Sequence, residues 1–201
     1  MNEILPQPIA ASDPFALFAQ WLEQARAKEI NDPEAMSLAT MDERGLSVRI
    51  VLLKGVDERG FSFFTNTLSR KGKQLKTHPE GALCFHWKSL RRQVRVEGKM
   101  EPVSSAEADA YFKSRPRGHQ ISAWASLQSD ALPSRATLEA RVKEFEKKFE
   151  GQEVPRPPHW SGYRLAPRLI EFWQDMPNRL HDRLVFTRDD AGGWRQGRVY
   201  P

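Results

Sequence analysis

The chain has a single cysteine, Cys84, among 201 residues, so no intrachain disulfide can form, and a reducing compartment is expected. No run of apolar residues is long enough to cross a bilayer as a helix. The opening, MNEILPQPIAASDP, lacks a basic start followed by an apolar stretch, which predicts a cytoplasmic protein without a secretory signal. Several chemical devices are also missing. No G-x-G-x-x-G follows a strand pattern, and there is no P-loop, no G-x-S-x-G elbow, and no cysteine and histidine set at metal-ligand spacing. An enzyme with this sequence would work without a serine elbow and without a metal centre.

What is present has the balance of a soluble globular protein: 28% charged and 39% hydrophobic residues. The length suits one domain, with a core large enough to need no disulfide or metal. A net charge of +5 points to anionic partners, either nucleic acid or small phosphorylated molecules.

Residues 1–12 carry no periodicity and are expected to form a flexible arm, leaving 13–201 as a single domain. Asp13-Pro14 supplies a helix cap and a first-turn proline, and Phe15, Phe18, Leu22 and Ala25 recur at helical spacing. Three strand-like runs follow, AMSLATM, LSVRIVLLKGV and FSFFTN, joined by two copies of the turn DERG. A short helix in SRKGKQLKTHP, a strand pair in ALCFHWKS and RQVRVEGKMEPV, and three helical segments between residues 104 and 151 come next. Cys84, within ALCFHW, reads as inert strand core. Two closing stretches, GYRLAPRLIEFWQ and HDRLVFTRDDAGGWRQGRVY, read as strands. Strands grouped as neighbours, with helices between the groups, predict a mainly β fold: an antiparallel β-barrel decorated by α-helices.

Cations stand among these ordered elements. In RIVLLK, strand alternation puts Arg49 with Val51 and Leu53, and Lys54 with Ile50 and Leu52. An inward Arg49 needs either a carboxylate of this chain or a bound anion. TNTLSRK places Arg70 and Lys71 at a helix start, a site for phosphate or a solvated basic turn. YFKSRPRGHQ brings Tyr111, Arg115, Arg117 and His119 around a helix end. In RLHDR, extended geometry would align Arg179, His181 and Arg183 on one face, a ladder that either faces solvent or holds an anion.

Taken in order, RIVLLK, FFTNTLSRKGKQL, RQVRVEGKMEPV, YFKSRPRGHQISAWASLQS, WSGYRLAP, IEFWQ and RLHDR resemble the FMN-dependent pyridoxine/pyridoxamine 5′-phosphate oxidases. The resemblance implies an FMN-binding split barrel working as a homodimer with FMN at the interface. It implies oxidation of phosphorylated B6 vitamers to pyridoxal 5′-phosphate, with O2 as acceptor and peroxide as product. It assigns the flavin to Arg49, Ile50, Val51, Leu52, Leu53 and Lys54, to Phe64, Thr65, Arg70 and Lys71, and to Gln93, Gln128, Ser129, Trp173 and Arg183. It assigns the substrate to Lys54, Tyr111, Arg115, Arg179, Leu180 and His181, with Arg179 and His181 beside the reacting carbon. His119 stands where family members usually have a substrate-binding serine, and Phe64 where a tyrosine is common. Other readings are a phenazine-type split-barrel oxidase and a flavin-storing or nucleic-acid-binding barrel. The basic residues are not gathered into one stripe with exposed aromatics, which argues against nucleic acid.

Overall fold

A computed structural model describes residues 7–201. Asp13 caps helix α1 (Pro14–Lys28), its carboxylate accepting from the backbone N–H of Phe15 at 2.8 Å. Leu17, Phe18, Trp21, Leu22 and Ala25 of α1 are buried. Phe18 lies within 4.8 Å of Phe61 and 5.0 Å of Phe85, ring centre to ring centre, so α1 closes one end of the aromatic core.

Among the described residues the sheet has nine strands: β1 (Ala35–Asp42), β2 (Gly45–Leu52), β3 (Gly55–Asp57), β4 (Gly60–Asn66), β5 (Glu80–Trp87), β6 (Arg92–Pro102), β7 (Trp160–Gln174), β8 (Asp182–Arg188) and β9 (Trp194–Arg198). The main order is β2-β1-β5-β6-β7-β4-β3, with β8 on β7 and β9 on β8, and every pairing is antiparallel. Both DERG sequences are the turns expected of them. Their glycines, Gly45 at φ +104° and Gly60 at φ +136°, adopt backbone angles that a side chain would resist. The run LSVRIVLLKGV is two strands, because the chain leaves β2 at Leu53 and re-enters as β3. The last stretch is likewise broken, by a turn in which Asp189 accepts from the N–H groups of Ala191 and Gly193.

Helix α2 (Arg70–Thr77) bridges β4 and β5, while α3 (Ser105–Ser114), α4 (Arg117–Ala125) and α5 (Arg135–Lys148) lie between β6 and β7. The three together cover a second apolar cluster of Phe112, Ile121, Phe149, Val154 and Trp160. Glu107 anchors α3 twice. It completes a capping box with Ser104 and accepts from Arg164 of β7 at 2.6 Å. The Arg164 bond, followed by the Ser104 backbone bond, lowers the Glu107 carboxyl from 4.5 to about 2. A depressed carboxyl contributes stability above its unfolded value and loses it as pH falls through the folded one. Glu107→Gln should therefore lower the melting temperature at neutral pH, with the deficit disappearing between about pH 4.5 and about pH 2. Equal deficits at pH 7 and pH 2 in thermal melts would contradict this.

The arm is held from Gln7 onward. Ile9 is buried in the main core, its N–H donates to Asp182 Oδ2 at 2.6 Å, and its carbonyl accepts from Arg198 at 2.6 Å. Residues 1–6, the rest of the expected arm, lie outside the described residues. Cys84 is half-buried beside Arg95 rather than sealed in the core, and burial pushes its thiol pKa up.

Candidate functional site

Strand β2 has two unlike faces. Arg49 sits opposite Leu38 of β1 on the inward side, whereas Leu46, Val48, Ile50 and Leu52 face outward with 80, 68, 64 and 39% of their surface exposed. The alternation expected from RIVLLK is thus present. The partner of Arg49 is not a carboxylate. Its guanidinium donates to the Leu38 carbonyl at 3.0 Å, Thr40 Oγ1 at 2.6 Å and Ser47 Oγ at 2.5 Å, all neutral oxygens. Burial, then the nearby Arg70 charge, push its pKa down. Lys71 is lowered likewise, by burial and then by Arg49, and its Nζ reaches Thr65 Oγ1 and Gln128 Oε1 at 3.3 and 3.1 Å. Among the described residues Arg49 and Lys71 make no ion pair, and such uncompensated charges favour an anion from outside.

Beside this cluster a cavity of about 540 Å3 opens between the end of β2, β4 and the helices α3 and α4. Ile50, Val51, Leu52, Lys54, Phe64, Thr65, Lys71, Tyr111, Arg115 and Gln128 all line it, as does His119. Lys54, Lys71, Arg115 and His119 supply four nitrogen bases, and among the described residues no carboxylate lines the cavity. Phe64 stacks on Tyr111 at 4.2 Å and on Trp160 at 5.4 Å, so the ring takes part in an aromatic ledge. Arg115 lies over Trp160 at 4.8 Å. Its Nη1 is buried without a hydrogen-bond partner, and burial lowers its pKa. A buried guanidinium donor left unmade is costly unless a ligand accepts from it.

Leu53 is buried in the main core and does not line this cavity. Arg70 and Ser129 line a neighbouring cavity of about 560 Å3, where Arg70 Nε lies 3.9 Å from Asp42. The remaining expected residues lie elsewhere. Gln93 and Arg183 flank Trp173 on adjacent strands, and the His181 ring rests 4.7 Å from Trp173. Between them RLHDR is not extended. Pro177–Arg179 form a 3-10 turn, with Asn178 at φ +58° and Arg179 at φ +62°, and β8 begins only at Asp182. Pro177 starts the turn and asparagine tolerates the left-handed region, so the local chemistry overrides the strand pattern. The three-residue ladder therefore does not form. Arg179 and Leu180 are exposed, while Arg183 forks onto buried Glu171 at 2.9 and 3.0 Å and reaches the Tyr200 carbonyl at 2.8 Å.

The expected residues thus fall mainly into two candidate half-sites, one at each end of β7. Trp160 belongs to the first and Trp173 to the second, separated along an extended strand by up to roughly 40 Å. Glu171 and Asp175, which hold Arg183 and His181, were not singled out by the sequence. The signal for Glu171 was an acid inside the apolar run LIEFW. Asp175 looked like part of a chain break.

A family model described as pyridoxamine 5′-phosphate oxidase matches residues 22–149, and one described as the pyridoxine 5′-phosphate oxidase C-terminal dimerisation region matches residues 160–201. A pyridoxine/pyridoxamine 5′-phosphate oxidase of Caulobacter vibrioides is 59% identical over 203 residues, covering 100% of this chain and 91% of that protein. Its namesake in Agrobacterium fabrum is 56% identical, covering 94% and 93%. PhzG from Burkholderia lata, solved in complex with tetrahydrophenazine-1-carboxylic acid, superimposes with a TM-score of 0.89 at 33% identity over 95% of this chain and 94% of that one. An FMN-binding protein related to pyridoxamine 5′-phosphate oxidase, from Nostoc punctiforme, shares the fold with a TM-score of 0.76 at 17% identity, covering 96% and 100%.

Proposed function

Since the chain belongs to the pyridoxamine 5′-phosphate oxidase family, we infer that it oxidises pyridoxine and pyridoxamine 5′-phosphates to pyridoxal 5′-phosphate, with FMN as resident cofactor. The observation that carries this is the carboxylate-free cavity lined by Lys54, Lys71 and Arg115, beside the unneutralised Arg49. Its size is that of a site for a small molecule of cofactor dimensions. Two phosphorylated ligands meeting there would need several cations, and arginine suits the planar, multidentate part of that task.

Arg49, Arg70 and Lys71, with Thr65, Gln128 and Ser129, would hold the flavin's phosphate end, and the Ile50–Lys54 backbone and Phe64 its remaining length. Lys54, Tyr111 and Arg115 would take the substrate phosphate, satisfying the buried Nη1. FMN held by these residues would supply the redox chemistry: a hydride equivalent taken from the C4′ carbon, with its electrons passed on to O2 to give peroxide. The protein's part is to orient the substrate and exclude competing water. Arg179, Leu180 and His181 would cover the substrate, with Gln93, Trp173 and Arg183 against the flavin.

These last six lie in the second half-site, at the other end of β7 from Trp160 of the first cavity. The family's dimerisation region supports a homodimer, and a two-fold assembly would join each first half-site to the partner's second, placing FMN at the interface. Exposed apolar residues border both halves: Leu46, Val48 and Ile50 near one, Leu180, Val199 and Tyr200 near the other.

FMN-loaded protein should release peroxide and form pyridoxal 5′-phosphate from either phosphorylated vitamer in air. Protein that takes up no FMN would defeat the reading. The 33% identity to PhzG keeps a phenazine precursor as the competing substrate. Turnover of a reduced phenazine carboxylate, with none of either vitamer, would favour it.

A further inference from the structure

Gln74 is a buried amide in α2, one turn beyond Arg70 and Lys71, with 2% of its surface exposed. Its Nε2 donates to Asp42 Oδ2 at 2.9 Å, and its Oε1 accepts from Thr40 Oγ1 at 2.6 Å, Ser47 Oγ at 2.9 Å and Arg49 Nη2 at 3.4 Å. A carboxylate only accepts, so Asp42 fixes which end of the amide faces which way. Thr40 and Ser47 stand opposite one another on β1 and β2. Each has one hydroxyl proton, and both protons go to Gln74. The oxygen lone pairs of both hydroxyls are thereby left for Arg49, which donates to them at 2.6 and 2.5 Å.

Asp42 is the carboxylate joined to this network, yet among the described residues it pairs with Arg44 and Arg70 and not with Arg49. The amide takes the carboxylate at one end and the guanidinium at the other, so the two charges are linked without meeting. The Gln74 bond is the foremost cause holding the Asp42 carboxyl below its ordinary value. The Nη groups of Arg49 donate to Leu38, Thr40, Ser47 and Gln74, all neutral acceptors, and its Nε makes no hydrogen bond among the described residues. The cation is fixed in place and left without a counter-charge, in a field shared with Arg70 and Lys71.

We propose that Gln74 is a positioning residue for phosphate capture. It holds Arg49 through Thr40 and Ser47 and keeps the Asp42 charge off it, so that the guanidinium stays available to a phosphate monoester. That the monoester is the phosphate end of FMN rests on the functional reading above; the insulation of Arg49 does not. An acid in place of the amide would satisfy the same hydroxyls and the same guanidinium, but as an ion pair. A cation already paired in this way gains less from a second anion. Position 74 therefore calls for a group that accepts hydrogen bonds without carrying charge.

Exchanging the two functional groups separates geometry from charge. Asp42→Asn combined with Gln74→Glu keeps the net charge, lets the new amide donate to the new carboxylate, and leaves Thr40, Ser47 and Arg49 an acceptor. The double variant should melt close to the wild type without flavin. It should bind FMN about 10- to 100-fold more weakly in fluorescence titrations, the worth of a hydrogen bond to a charged group. Riboflavin, which lacks the phosphate, should bind both proteins alike. Gln74→Met removes the acceptor without adding charge and covers a double variant that folds poorly: FMN should weaken by about 10-fold, and riboflavin should not. Unchanged FMN affinity in the folded variant, or equal losses for FMN and riboflavin, would overturn the proposal. If the wild type binds neither flavin, inorganic phosphate followed by 31P line broadening becomes the probe. Phosphate bound by the wild type and lost in the variant would uphold the role of Gln74 and count against the functional reading. Phosphate bound by both proteins, or by neither, would overturn that role.

Discussion

Two inactive variants, Arg115→Ala and Arg179→Ala, should recover activity when their protomers are exchanged. Arg115 lines the first half-site and Arg179 stands in the turn of the second, at opposite ends of β7. Alone, each alanine damages both sites of a two-fold dimer, and each should lower kcat/KM by about 100-fold or more, since the lost group is a charge-assisted contact. In a mixed dimer one site collects both lesions and the other collects neither. Random exchange makes half the dimers mixed, so about one quarter of wild-type activity should return under C2 symmetry. If one protomer held a complete site, mixing would return nothing. Brief exposure to mild denaturant, then dilution with FMN and an activity assay, decides between the two.

The second large effect concerns a residue that touches neither proposed ligand. Val48 lies at the centre of the outward stripe of β2, 68% exposed and flanked by Leu46 and Ile50. Four alternating apolar residues on an edge strand are a hazard to a monomer unless something covers them. Val48→Asp would bury an unpaired carboxylate in a dimer, at a cost of several kcal/mol, and would cost almost nothing in a monomer. The variant should sediment as a folded monomer, retain little flavin and have negligible activity. A dimer with full flavin content would show that β2 faces solvent. Because Val48 is not a proposed flavin contact, loss of flavin there reports on assembly alone.

Most of the fold was legible because its local signals agree with one another. Asp13-Pro14 starts a helix by capping chemistry alone, and DERG makes a tight turn wherever strand formers flank it. Alternation in RIVLLK separated Arg49 from Ile50 correctly, since an edge strand with one covered face obeys the two-residue period. RLHDR failed for the opposite reason. Its strand pattern was real, but Pro177 and Asn178 bend the chain before the pattern can take hold, and β8 starts only at Asp182. Partners distant in sequence were not legible either. Nothing near Arg49 foretells that its acceptors would be hydroxyls and a carbonyl, and nothing near Arg183 foretells Glu171. Nor can a single chain's pattern show that residues at two ends of one strand serve the same chemistry.

Ile9, Asp182 and Arg198 tie together stretches that lie far apart in the sequence. Asp182 accepts from the Ile9 N–H and the Arg198 guanidinium, and Arg183 beside it donates to the Tyr200 carbonyl. The Arg198 guanidinium reaches the Ile9 carbonyl across 189 positions, so closing this clasp costs loop entropy that the packed core must offset. Removing either stretch would strip Asp182 of a hydrogen-bond donor and loosen the strand that follows the His181 turn.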